Sequence, residues 1–271
     1  AEIVSVDSMQ VYRGMDIGTA KPTPAERRRV VHHLIDVVDP GEDFSVADTQ
    51  RIGRAAVAAA PGPAIIAGGT GLAMRAIVDP LEFPGSDAGV RAELEQADLA
   101  ELQDRLVALD PDAADHVDLA NPRRVIRALE IHAVGGRTPS ERAATPAARA
   151  VRTYESLLEF RVVGLDPGAQ LESRAVARFD AMLDAGLLEE VERVAPRLGR
   201  TAAQAVGYKE LMGVVAGERS LPEARTDAIT ATMAVAANQR TYFRRDPRIT
   251  WLEWHDDPAV RLERARRELL P

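Results

Sequence analysis

The sequence of 271 residues contains no cysteine, which excludes disulfide bonds, thiolate catalysis and cysteine-ligated metals. This absence suits a reducing compartment, so we expect a cytoplasmic protein. Aromatic residues make up only 4% of the chain, and the core must therefore consist mainly of Ala, Val, Leu and Ile. No apolar run reaches the roughly 18 residues that a membrane-spanning helix requires, and we expect no membrane partner.

Several motifs that mark common active sites are also missing. The sequence has no G-x-x-x-x-G-K-[ST] loop, no G-x-G-x-x-G and no H-E-x-x-H. Its five histidines do not have the spacing of metal ligands, so no residue is assigned as a metal ligand.

Acidic residues outnumber basic residues by 42 to 34, which gives a formal net charge of −8. Because non-specific nucleic-acid binding depends on neutralising phosphates, this charge argues against a general nucleic-acid binder. A local basic surface on an acidic body stays compatible with it. The hydrophobic fraction of 46% is enough for one large domain, or for one domain that carries an insertion.

In the first half of the chain, short β-branched runs alternate with helical patterns. Strands are predicted at Ile3–Val6, 33–38 and 63–67, and helices are predicted to begin at Ser45 and near Thr70. This alternation favours an α/β fold with a parallel sheet that is covered by helices on both faces.

The composition changes near Pro84-Gly85-Ser86, and the sequence from 87 to about 150 is helical and charged. We predict a loop within 137–150, because this stretch has two prolines and few large apolar residues. Strands and helices then return in the order strand 157–165, helices 171–185, 187–197 and 222–245, strand 249–252 and a terminal amphipathic helix. The sequence therefore predicts an α/β core of residues 1–86 and 151–271, interrupted by a helical insertion of residues 87–150.

Two strand ends carry residues that could do chemistry. Asp7 follows the first strand, and ligands of open α/β sheets bind at the carboxyl ends of strands. Its carboxylate could accept a proton or hold a metal, or Asp7 and Ser8 could only cap the next segment. Gly68-Gly69-Thr70 follows another strand, where backbone N–H groups and a hydroxyl could bind phosphate. An ordinary strand-to-helix turn with a threonine cap explains the same residues.

Two further segments could contact nucleic acid. Arg124 and Arg127 share one helix face and could straddle a phosphate, although a solvated charged face is the more frequent reason for such a pair. The segment from Gln204 to Lys209 combines Gly207, an aromatic ring and a cation, which suits a close backbone approach with base stacking. A tyrosine packed beneath a helix start is the simpler reading of Tyr208.

Taken together, these segments resemble one family. The run from Asp7 to Pro22 reads DSMQVYRGMDIGTAKP and resembles, almost letter for letter, the long signature of bacterial tRNA dimethylallyltransferases. Five further segments follow in the family's order, namely HHLID (32–36), FSVAD (44–48), GGTGL (68–72), RVIRALE (124–130) and AVGYKE (205–210). The resemblance spans nearly the whole chain.

The resemblance implies a P-loop-NTPase-like, nucleotide-binding fold and the transfer of a dimethylallyl group. The donor is dimethylallyl diphosphate, and the acceptor is N6 of the adenine on the 3′ side of the tRNA anticodon. The resemblance makes Asp7 the general base and Thr70 a donor to the departing diphosphate. It also implies Mg²⁺ on the diphosphate and a monomer as the default state.

The resemblance assigns further residues to the substrates. It places Ser8, Met9 and Gln10 in the adenine pocket, and Gly68, Gly69 and Arg174 near the diphosphate. The predicted tRNA contacts are Arg91, Arg123, Arg124, Val125, Ile126, Arg127, Gln204, Ala205, Val206, Gly207, Tyr208 and Lys209.

The sequence departs from the family pattern in three places. The family's phosphate loop of the G-x-T-x-x-G-K-[ST] type lies about two dozen residues before the aspartate, ahead of Ala1, so we expect weak binding of the prenyl donor. Ala73 stands where the family usually has tyrosine. The stretch Met233–Asn238 is unusually apolar, which reduces the expected phosphate contacts.

Two alternative functions are compatible with the residues. The chain could bind a tRNA anticodon arm without catalysis, because the donor site is incomplete. It could also be a nucleotide-kinase-like enzyme of the same fold class that acts on a small molecule, since fold does not fix function. The arginines of the insertion and the segment 204–209 argue against this second alternative.

Overall fold

The computed structural model describes residues 1–270. Within these residues the strands, in chain order, are β1 Glu2–Ser5, β2 His32–His33, β3 Ala64–Ala67, β4 Val162–Leu165 and β5 Ile249–Leu252.

The same residues form α-helices of 5 to 23 residues. In chain order they are α1 Pro24–Arg29, α2 Val46–Ala59, α3 Gly71–Val78, α4 Ala88–Leu94, α5 Leu99–Leu109, α6 Pro122–Gly135, α7 Pro139–Ala143, α8 Pro146–Arg152, α9 Leu171–Asp184, α10 Leu187–Val194, α11 Tyr208–Val215, α12 Leu221–Phe243 and α13 Pro258–Leu269.

All described strand pairs are parallel, as the α/β pattern predicts. β1 lies between β2 and β3, with Ile3 opposite Ile65 and Val4 opposite Ile66. β4 and β5 form a second, two-stranded sheet. The predicted parallel sheet is therefore divided into two parts in this chain.

The three-stranded sheet buries one face more completely than the other. Val4 and Val6 are buried and pack with Met74 and Ile77 of α3. Side chains alternate across a strand, so Ile3 and its partner Ile65 lie on the opposite face. Ile65 is 49% exposed within the described residues. Within residues 1–270 this second face is therefore only partly covered at β3.

Some predicted boundaries are wrong. The strand predicted over 33–38 is limited to β2, because Leu34 and Asp36 adopt positive φ angles of 62° and 55° that break extended pairing. The loop predicted within 137–150 is present at 137–138 and 144–145, but helices α7 and α8 occupy the rest of this stretch. Each begins with proline in its first turn after a threonine cap, Thr138 or Thr145, where proline loses no hydrogen bond.

The chain divides into two compact units. The core unit comprises 1–78 and 159–271, and the inserted unit comprises 79–158. The core unit contains two apolar clusters, one between α3 and the three-stranded sheet and one among α9 to α12. The inserted unit has its own helical core around Leu102, Leu106 and Val125.

Candidate active site

Asp7 and Thr70 lie at the carboxyl ends of neighbouring strands. β1 continues through Val6 into Asp7, and the Thr70 N–H donates to the Val6 carbonyl oxygen at 3.1 Å. The Thr70 carbonyl accepts from the Met74 N–H at 3.1 Å, so Thr70 immediately precedes the first turn of α3. The fold thus brings together the two residues to which the sequence assigned the catalytic roles.

The Asp7 carboxylate also organises its own turn. Its Oδ1 accepts from the N–H of Met9 at 2.8 Å and from that of Gln10 at 3.3 Å. This is the capping arrangement that the sequence left open. Within residues 1–270 no donor is bonded to Asp7 Oδ2, and no protein group is bonded to the Thr70 hydroxyl. Capping therefore leaves one carboxylate oxygen and one hydroxyl for a ligand.

The glycines of the turn before α3 are required by close contacts. Gly68 has a φ of +150°, and a side chain there would lie 2.7 Å from the Val6 carbonyl carbon. A side chain at Gly69 would overlap the amide of Gln239, and one at Gly71 would overlap the ring of Tyr242. The turn thus packs directly against Val6, which follows β1, and against α12.

Residues 8–10, which follow Asp7, differ in their exposure and in their contacts. Ser8 is exposed, and Met9 is half-buried and packs on the core cluster of α9 to α12. The Gln10 amide bridges three groups, because its Oε1 accepts from Ser5 Oγ at 2.9 Å and its Nε2 donates to the carbonyls of Thr19 and Ala20. Gln10 therefore connects β1, at Ser5, to the loop that contains Thr19 and Ala20.

A buried lysine holds the same loop from its other side. The side chain of Lys21 is 3% exposed, and its Nζ donates to the Tyr12 carbonyl, Asp16 and Asp36. Burial opposes ionisation of Asp36, but hydrogen bonds from Lys21 and Arg27 outweigh it and lower the pKa of this carboxyl. Lys21 and Asp36, which belong to the segments 7–22 and 32–36 that resemble the family, thus form one hydrogen-bond network that holds this loop.

The sequence did not identify Glu190, the buried carboxylate that anchors this loop. It is 1% exposed and accepts from the N–H groups of Asp16, Ile17 and Gly18 at 3.0–3.2 Å. It also accepts from the Tyr208 hydroxyl. The partners are separated from Glu190 by up to 174 residues, so only the fold reveals the contact.

The segment 204–209 divides into exposed and buried residues. Gln204 and Lys209 are exposed, whereas Ala205 and Tyr208 are buried and Val206 is half-buried. Burial, reinforced by the bond to Glu190, raises the pKa of Tyr208 far above its usual range. The Tyr208 ring is therefore packed beneath the start of α11, and its predicted stacking on a base is wrong for this conformation.

The backbone conformation at position 207 favours glycine. The φ of +90° at Gly207 lies in the region that favours glycine, and its N–H donates to Glu210 at the first turn of α11. Backbone geometry accounts for this glycine, independently of any nucleic acid.

Arg174 lies on α9, and its guanidinium group, like that of Arg261, lies over the indole ring of Trp254. Its guanidinium carbon is 4.6 Å from the centre of the Trp254 ring, and that of Arg261 is 4.3 Å from it. The Trp254 Nε1 donates to Gln170 and Asp256 at 3.1 Å each, which fixes the ring. Within residues 1–270 no hydrogen bond to a protein group occupies Arg174, so its N–H edge can bind an anion.

In the inserted unit, Arg91 and Arg127 have an internal partner. Both donate to Glu130, which is fully buried, at 2.6 and 2.7 Å. Burial opposes ionisation of Glu130, but the hydrogen bonds from Arg91 and Arg127 lower its pKa. The structure thus gives these arginines a structural role that the sequence did not reveal.

The remaining predicted contacts on α6 differ in exposure. Arg123 is exposed, and Arg124 is exposed beside Asp118 at 3.5 Å. Val125 is fully buried in the helical core, and Ile126 packs against that core. The α6 surface that can reach a partner is therefore the one that carries Arg123 and Arg124.

The described residues offer few ligands to a metal. No group of three His, Asp or Glu side chains in residues 1–270 could hold an ion. Mg²⁺ binds through one or two protein oxygens when substrate phosphates supply others. The Thr70 hydroxyl fits that limited role. No helix in the described part of the chain is long and apolar enough to span a membrane.

Comparisons with known proteins place the chain in one family. The sequence model of the family described as IPP transferase matches residues 10–246. A protein of Nocardioides sp. named tRNA dimethylallyltransferase is 43% identical over 270 residues, covering 96% of this chain and 84% of its own length. The protein of the same name from Streptomyces coelicolor is 43% identical over 263 residues, covering 93% and 81%.

Two solved structures are similar over nearly the whole chain. The tRNA isopentenylpyrophosphate transferase of Bacillus halodurans has a TM-score of 0.68 and 34% identity, over 98% of this chain and 86% of its own. A eukaryotic dimethylallyltransferase that acts on tRNA has a TM-score of 0.75 over 97% and 71%. At 23% identity, this second likeness supports the fold alone.

Proposed function

The chain belongs to the IPP transferase family, and on that premise we propose that it transfers a dimethylallyl group to tRNA. The donor is dimethylallyl diphosphate, and the acceptor atom is N6 of the adenine on the 3′ side of the anticodon. The observation that carries this proposal is the pairing of Asp7 with Thr70 at adjoining strand ends in a chain 43% identical to tRNA dimethylallyltransferases.

The reaction exchanges one bond for another. The adenine N6 forms a bond to the first carbon of the dimethylallyl group, and the bond from that carbon to the diphosphate oxygen breaks. The electron pair of the broken bond leaves with the diphosphate. The N6 proton passes to Asp7, whose Oδ2 accepts no protein donor in residues 1–270. Positioned proton transfer of this kind contributes about 10²–10⁴ to the rate.

The departing diphosphate needs donors and positive charge. The Thr70 hydroxyl, the N–H groups of Gly68 and Gly69 and the Arg174 guanidinium are the groups of this chain proposed to supply them. Mg²⁺ bound to the diphosphate would neutralise part of its charge, with the Thr70 hydroxyl as the protein oxygen offered to it.

The acceptor RNA is proposed to contact both units. The exposed residues Arg123, Arg124, Gln204 and Lys209 supply charge and hydrogen-bond donors for its backbone. Ser8, Met9 and Gln10 are proposed to receive the target adenine, which must leave its stack at a cost of a few kcal/mol.

Replacing Asp7 with asparagine tests the proposed chemistry. Asp7→Asn keeps an oxygen for the turn but removes the base, so prenyl transfer should fall about 10²–10⁴-fold while stem-loop affinity changes little. Transfer is measured with labelled dimethylallyl diphosphate at saturating concentration, Mg²⁺ and an anticodon stem-loop. Asp184→Asn, at the exposed end of α9, is the matched control and should transfer like the wild type. Equal rates in Asp7→Asn and the wild type would contradict the assigned base.

A further inference from the structure

Glu190 of α10 is a buried carboxylate surrounded by donors from a distant loop. It accepts from three consecutive backbone N–H groups, those of Asp16, Ile17 and Gly18, and from the Tyr208 hydroxyl. The only cation within 4 Å of it in residues 1–270 is Arg193, at 3.8 Å and 60% exposed. Its charge is thus compensated by oriented backbone dipoles more than by an ion pair.

The loop that Glu190 holds is connected to the predicted adenine site. The carbonyls of Thr19 and Ala20 accept from Gln10 Nε2 at 3.1 and 3.4 Å. The Gln10 N–H in turn donates to Asp7 Oδ1 at 3.3 Å. A displacement of residues 16–18 would therefore reach both Gln10 and the turn of Asp7.

On its other side, Glu190 is connected to the predicted RNA-contacting segment 204–209. Tyr208 belongs to that segment, and its ring lies so close to Gly18 that no side chain fits between them. Gly18 is therefore held by a ring contact and by a hydrogen bond to Glu190. One carboxylate thus joins the two segments that are proposed to bind the adenine and the RNA backbone.

We propose that Glu190 is a positioning residue that keeps residues 8–10 in register with segment 204–209, so that the enzyme can select the target adenine. This inference rests on the proposed function. Glu190 itself is buried and touches no substrate, so it acts through the loop 16–20 and through Gln10. A purely structural role would lower stability without changing the preference for adenine.

The test compares two anticodon stem-loops that differ only at the target base, adenine in one and guanine in the other. The affinity ratio is measured for the wild type, Glu190→Gln and Glu189→Gln. Glu190→Gln replaces an acceptor oxygen with an NH₂ donor that opposes the loop N–H groups, so the ratio should fall about tenfold. Glu189→Gln makes the same charge change at an exposed neighbour and should keep the wild-type ratio.

Hydrogen exchange provides a second readout that needs no RNA. In Glu190→Gln the amides of both 16–18 and 8–10 should exchange faster than in the wild type. If Glu190→Gln does not fold, Tyr208→Phe takes its place, because it removes one of the four donors and leaves the backbone contacts. It should lower the base preference by a smaller factor.

The outcomes separate this inference from the proposed function. A wild type that transfers no prenyl group to the adenine stem-loop contradicts the proposed function, whereas a wild type that transfers it but binds both stem-loops equally overturns the inference alone. A wild type that prefers adenine, together with an unchanged ratio in Glu190→Gln, overturns the inference alone. Faster exchange confined to residues 16–18 would overturn it as well, because the effect would stop short of Gln10.

Discussion

At the scale of single residues, the inserted unit depends on one buried charge. Glu130 accepts from the Arg91 and Arg127 guanidinium groups and from the Asp87 N–H at 3.1 Å. Arg127 also donates to the carbonyls of Pro84 and Gly85. These contacts fasten the segment before α4 to α6. They also mean that an RNA phosphate would have to compete with Glu130 for Arg91 and Arg127.

Replacing Glu130 should destabilise the inserted unit strongly. Glu130→Gln leaves two guanidinium groups beside a neutral side chain, and breaking a buried ion pair costs about 3–5 kcal/mol. Urea unfolding of the full chain measures the loss. Glu93→Gln, on the exposed face of α4, is the control and should stay within about 0.5 kcal/mol of the wild type. A loss no larger than that of the control would contradict this account of Glu130.

The difference in unfolding free energy between the wild type and Glu130→Gln should depend on pH, because the pKa of Glu130 is lowered in the folded state. A carboxyl with a folded pKa below its unfolded value of about 4.3 contributes stability that is complete above that value. This contribution disappears as the pH falls through the folded pKa. The gap in unfolding free energy between wild type and Glu130→Gln should therefore be constant near neutral pH and shrink below about pH 4.

At the scale of elements, packing of the loop 16–18 against α10 and α11 is tight at Gly18. A side chain there would lie 2.8 Å from Tyr208 Cζ and 2.9 Å from Leu187 Cδ1. Gly18→Ala should thus cost about 1–3 kcal/mol through overpacking. Thermal unfolding compares it with Gly62→Ala, because no atom lies within 4 Å of a side chain placed at Gly62. Equal stability of these two variants would show that the loop has room to shift.

Element boundaries could be predicted where a local signal was strong. The capping box of Ser45 and Asp48 starts α2 as predicted, and the apolar run before Gly68 forms β3. The helices α7 and α8 were missed because proline was taken as a loop signal, although proline also suits a first helical turn. The end of β2 depends on positive φ angles at Leu34 and Asp36, which no local propensity predicts.

At the scale of the whole molecule, the family resemblance predicted the fold class and the transferase activity. Asp7 and Thr70 lie near each other because β1 and β3 pair in parallel, so that their carboxyl ends meet at one edge. The roles of Glu190 and Glu130 could not be predicted, because each has decisive partners far away in the sequence, Asp16 at 174 residues from Glu190 and Arg91 at 39 residues from Glu130. The contact with Glu190 also accompanies the burial of Tyr208.

The most direct test of the central claim is the position of the prenyl group on the RNA product. The wild-type chain is incubated with labelled dimethylallyl diphosphate, Mg²⁺ and an anticodon stem-loop, and the RNA is digested to nucleosides. The account predicts that the label is on N6 of the adenine on the 3′ side of the anticodon, and is absent when guanine replaces that base. Label on another base or atom, or stem-loop binding without any transfer at saturating donor, would contradict it.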